Sequence, residues 1–134
     1  MMLNAVLSPP NAILFVFDPT NRGVTIPEYA DGKLAAATDT CVSVGTLPEA
    51  DGETEVSLAT ESPIAKGLKQ VYCGKITTPG GKIAVVTSQL QRILELDVPI
   101  GSVTLTVLAD DERIPSKVAI FVSPREGPVK GTAP

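Results

Sequence analysis

Val98-Pro99-Ile100-Gly101-Ser102-Val103-Thr104-Leu105-Thr106-Val107-Leu108-Ala109-Asp110 decides the fold. Pro99 and Gly101 set a turn. Beyond it, Val103, Leu105, Val107 and Ala109 fall on one side of an extended chain, and Ser102, Thr104 and Thr106 on the other. Successive strand side chains point to opposite faces, so this is a strand with one dry and one wetter face. Val and Thr suit it because a branched Cβ fits a pleated surface. Asp110, Asp111 and Glu112 end the strand in water.

The neighbouring segments look built to cover that dry face. Ala12–Phe17 is a continuous apolar run that stops at Asp18-Pro19-Thr20-Asn21, a turn signal, and reads as a strand covered on both sides. Asp18 reads as a turn residue capping backbone N–H groups. Val24–Pro27 is a short edge-like piece, Asp31-Gly32 a tight turn, and Lys33–Thr38 either one helical turn or a loop. Cys41–Leu47 and Glu53–Thr60 alternate across Pro48-Glu49-Ala50-Asp51-Gly52, which predicts a hairpin. Ser62–Gly67 reads as a connection. Strands are expected over Leu68–Thr77, Lys82–Ser88, Ile93–Val98 and Lys117–Ser123. Ser88-Gln89-Leu90-Gln91 fits either a capping-box helical turn or a bulged loop.

The expected architecture is an all-β, antiparallel sandwich of about eight strands with little helix. Residues 12–124 form its single domain, residues 1–11 an N-terminal segment outside it, and residues 125–134 a flexible tail. A chain of 134 residues can bury a core of its own. Its residues are 43% hydrophobic but only 4% aromatic, so that core is aliphatic.

Composition excludes several function classes. The chain has no His, which removes Ser-His-Asp and Cys-His catalysis. Cys41 and Cys73 are too few for a four-cysteine zinc site and are expected as reduced core thiols. The net charge is −4 and Lys and Arg are scattered, so no basic stripe answers a phosphate backbone, and direct nucleic-acid binding is not expected. Met1–Leu7 is apolar but short and lacks a basic start, so neither a signal peptide nor a membrane span is expected; the cytoplasm is the default compartment.

Several segments together resemble the competence protein J family of bacterial β-sandwich proteins. They are Val42-Ser43-Val44-Gly45-Thr46-Leu47 with the acidic turn and the alternating strand Glu53–Ala59, then Gly74-Lys75-Ile76 with Pro79-Gly80-Gly81, then Leu96-Asp97-Val98-Pro99-Ile100-Gly101. Their order and spacing match the family over residues 12–124. The resemblance implies a small non-enzymatic protein, by analogy an inhibitor of a DNA-entry nuclease. Leu34, Ala35 and Val44 stand where the family carries aromatics near the first hairpin, so no binding residue is carried over.

Ten of the fifteen carboxylates cluster, which makes them the candidate surface. Glu49, Asp51, Glu53, Glu55 and Glu61 lie on the first hairpin, and Glu95, Asp97, Asp110, Asp111 and Glu112 around the quoted strand. Glu49, Asp51, Glu53, Asp110, Asp111 and Glu112 are the candidate contacts for a protein partner such as a basic nuclease. The competing reading is an ordinary set of solvated turns. Asp110-Asp111-Glu112 lacks calcium-loop spacing, and Thr78-Pro79-Gly80-Gly81-Lys82 lacks the length and following helix of a phosphate loop. No metal or other cofactor is expected. Two other classes stay open: a small enzyme using carboxylates such as Glu95 with Asp97, and an assembly protein pairing through strand edges.

Overall fold

A computed structural model describes residues 2–28, 32–60 and 67–123. Among the described residues ten strands form two five-stranded sheets. The strands are β1 (Met2–Leu7), β2 (Ile13–Phe17), β3 (Ala35–Ala37), β4 (Cys41–Gly45), β5 (Thr54–Ala59), β6 (Lys69–Thr78), β7 (Lys82–Thr87), β8 (Arg92–Asp97), β9 (Gly101–Ala109) and β10 (Lys117–Ser123). The first sheet runs β1-β5-β10-β9-β6 and the second β3-β4-β2-β7-β8. All pairs are antiparallel except β5–β10. The all-β sandwich expected from the alternation is therefore the fold.

The dry face of β9 is real. Val103, Leu105 and Val107 are fully buried, and they pack in one aliphatic cluster with Leu14, Val16, Val42, Val44, Val56, Leu58, Ile83, Val85 and Ile120. Alternating inward residues from two facing sheets form such a core about 10 Å thick.

Several expectations are corrected. Met2–Leu7 is not outside the sandwich: it is the edge strand β1, paired residue for residue with β5. Its outward residues include Met2 and Val6, so the apolar-polar alternation that marks the other strands is blurred. Cys41–Leu47 and Glu53–Thr60 do not form a hairpin, because β4 lies in the second sheet and β5 in the first. The acidic segment between them crosses from sheet to sheet at one end of the sandwich. Ala35–Ala37, left open between helical turn and loop, is the short strand β3 on β4; ladder pairing overrides the weak strand preference of Ala. Val24–Pro27 forms no strand, although the Thr25 amide donates to Thr40 Oγ1 and its carbonyl accepts the Thr38 hydroxyl.

Asp18 is a buried turn cap, as expected, and more. Its carboxylate accepts the Thr20 amide (2.8 Å) and hydroxyl (2.7 Å), and also the Gly80 amide (2.7 Å) from the β6–β7 turn. Gly80 is required there, because a Cβ would overlap the Thr20 hydroxyl. Residues 88–91 form a turn, not a helix, with Thr87 Oγ1 accepting the Gln89 and Gln91 amides. Both cysteines are free thiols; Cys41 is buried, but Cys73 is exposed on the outer face of β6 and is not a core residue. The Asp31-Gly32 turn, the Ser62–Gly67 connection, Glu61 and the 125–134 tail fall wholly or mostly outside the described residues. Among the described residues no helix is long and apolar enough to cross a membrane.

Candidate protein-binding end

Both acidic segments lie at the same end of the sandwich. After Pro48, Glu49–Asp51 makes a single 3-10 turn, closed by the Asp51 amide on the Pro48 carbonyl at 2.9 Å. Gly52 follows at φ 132°, a backbone state that favours glycine, and its carbonyl accepts the Ser8 hydroxyl from the end of β1. The β9–β10 loop comes up alongside. Its Pro115 carbonyl accepts the Leu47 amide at 3.0 Å and the Thr54 hydroxyl at 3.5 Å, and the Ser116 carbonyl accepts the Glu55 amide at 2.8 Å. Two loops distant in sequence are thereby stitched into one surface.

Within that surface the six candidate acids differ. The Asp110 carboxylate accepts the Ser116 amide and hydroxyl and the Lys117 amide, so it closes its own loop. Asp111 accepts the Ile114 and Arg113 amides, and these bonds, helped by the Arg113 charge, hold its carboxyl below the ordinary range. Both are turn caps first. Glu49, Asp51, Glu53 and Glu112 are exposed. Asp110 and Asp111 bond groups of their own loop, Asp110 the Ser116 amide and hydroxyl and the Lys117 amide, Asp111 the Arg113 and Ile114 amides.

A concave feature adjoins this end. A cleft of about 690 Å³ lies on the outer face of the second sheet, floored by Phe15 and Ala36 and walled by Ile26 of the segment that crosses that face. Glu112 and Arg113 of the acidic loop form part of its rim. Pattern reading missed this cleft, although a strand apolar on both faces (Ala12–Phe17) and an isolated Ile26-Pro27 in a loop were its signals.

The carboxylate pair Glu95 and Asp97 does not form a free acid-base couple. The Lys82 ammonium bonds Asp97 at 2.7 Å and lies 3.7 Å from Glu95, and Arg92 pairs with Glu95 at 3.1 Å. The Asp97 hydrogen bond and charge raise the Lys82 pKa. Among the described residues every buried side-chain polar atom has a hydrogen-bond partner.

No protein-family model matches the chain. No curated protein matches it in sequence. Two solved structures share its fold. One is ComJ from Bacillus subtilis, described as an inhibitor of the DNA-degrading activity of NucA, at a TM-score of 0.67 and 18% identity, over 92% of this chain and 98% of that one. The other is the product of crocagin biosynthetic gene J, at a TM-score of 0.54 and 13% identity, over 93% of this chain and 96% of that one. The resemblance to the competence protein J family read from the strand segments thus holds across nearly the whole chain at the level of the fold.

Proposed function

We propose that the protein is a non-enzymatic protein-binding module that inhibits a basic nuclease in the cytoplasm, meeting it with the acidic end of the sandwich. The observation that carries this reading is the Pro115 carbonyl holding Leu47 and Thr54, which sets the 46–54 and 110–116 loops side by side. Glu49, Asp51, Glu53 and Glu112 are the contact acids; Asp110 and Asp111 shape the loop that presents Glu112. The fold shared with ComJ supports the inhibitor role.

The physics is direct. A nuclease cleft must be basic to hold phosphates, and an acidic knob is attracted to the same field. The acids also repel DNA itself, so the partner is the enzyme and not its substrate. The cleft beside Glu112 receives an apolar anchor from the partner, since a few well-seated anchors carry most interface energy. The test is a DNA-cleavage assay on the nuclease recovered with the tagged protein. Cleavage should fall in proportion to added protein and stop near equimolar ratio. Full cleavage with the protein bound in excess would reject an inhibitory role.

A further inference from the structure

Two sheets have four edge strands, and three of them are protected. β6 carries Lys69 and Lys75 and a bulge between Gln70 and Tyr72. β8 carries Arg92, Glu95 and Asp97. β3 is only three residues long. Charges, bulges and shortness are how proteins blunt a row of unpaired backbone groups. β1 has none of these. Met2-Leu3-Asn4-Ala5-Val6-Leu7 has no charge and no Pro, keeps an unbroken register, and pairs only with β5 among the described residues.

We infer that β1 is a self-association edge, pairing antiparallel with β1 of a second copy about a two-fold axis at Asn4. The residue spacing supports this partner. Met2 and Val6 are 55% and 61% exposed and stand two positions either side of Asn4. Residues i, i+2 and i+4 of a strand share a face, so antiparallel pairing about Asn4 sets Met2 against Val6 of the second copy, twice. The exposed apolar side chains then cover each other, and Asn4 meets its own amide at the axis. Leu3 and Ala5 meet on the inner side and extend the core. The free N–H and C=O groups of both edges are satisfied together, and two five-stranded sheets become one of ten.

Charge favours the same occupant. The chain carries −4, yet this edge is neutral, so two copies meet here without a like-charged pair facing across it. A basic partner finds no carboxylate on β1 to recognise. The inference is independent of the nuclease reading and would survive its failure.

The test is sedimentation equilibrium from micromolar to millimolar protein, with thermal melting to confirm folding of each variant. Wild type should move with concentration to the mass of two chains. M2K/V6K places Lys opposite Lys twice and should leave the mass of one chain throughout. M2E/V6K places Glu opposite Lys in this register and should restore the dimer. Wild type at the mass of one chain at every concentration overturns the inference. So does a dimer that M2K/V6K leaves intact, or one that M2E/V6K fails to restore while folded.

Discussion

The carbonyl of Pro115 accepts the amide of Leu47 at 3.0 Å, joining a loop of the first sheet to the crossover that leaves the second. That contact turns acids scattered in sequence into a shared surface. The contact uses none of the exposed acids, so neutralising them should change binding without loosening the fold.

Leu105→Asp should unfold the domain. Leu105 is fully exposed to its neighbours and not at all to water, at 0% accessibility in the centre of the core cluster. Burying an unpaired carboxylate costs several kcal/mol, a large share of a total stability of about 5–15 kcal/mol. Loss of the cooperative melting transition checks this. A native-like melt would mean the strand presents its other face.

Asp18→Ala should destabilise the protein by about 2 kcal/mol or more, since a buried charged acceptor loses its hydrogen bonds and leaves the Gly80 amide unpaired. Burial works to raise the Asp18 pKa, but hydrogen bonds from Thr20, Gly80 and Lys82 outweigh it, and the net shift is down. A depressed folded-state value gives stability that is present above the ordinary carboxylate value, about pH 4, and lost as pH falls through the folded one. Asp18→Asn should therefore flatten the acid limb of the stability curve. Equal acid dependence in urea melts of both proteins would count against this.

The two thiols should label at different stages. Cys73 is exposed and should react in the native state. Cys41 is buried, and desolvation pushes its thiol up to about 12, so it should react only after unfolding. One equivalent before denaturation and two after, without reductant, is the expected count. Zero in denaturant would mean a disulfide.

How much of this was legible in sequence depends on what each residue faces. β9 was readable because Val103, Leu105 and Val107 alternate with Ser102, Thr104 and Thr106, and β10 because Val118, Ile120 and Val122 make a branched apolar run that Lys117 and Ser123 bound. β1 was not, because its outward Met2 and Val6 are as apolar as its inward Leu3 and Leu7. The first hairpin was misread for a different reason. Pro48–Gly52 has the residues of any tight connection, and alternation in the flanking strands says which face is buried, not which sheet each strand joins. The positions of the acids can be read in the sequence, but their division into loop caps and exposed carboxylates cannot. That division is set by hydrogen bonds such as Asp110 to Ser116, which depend on the closed loop.

The central claim is that the acidic end meets a basic nuclease, and the association rate with that nuclease tests it most directly. The comparison is wild type against Glu49→Gln, Asp51→Asn, Glu53→Gln and Glu112→Gln combined, measured by stopped flow at low and high salt. These exposed substitutions should each change folding stability by no more than about 0.5 kcal/mol. The account predicts that the variant associates about tenfold more slowly at low salt, and that the two rates converge as salt shortens the Debye length below about 10 Å. Equal rates at low salt would contradict it.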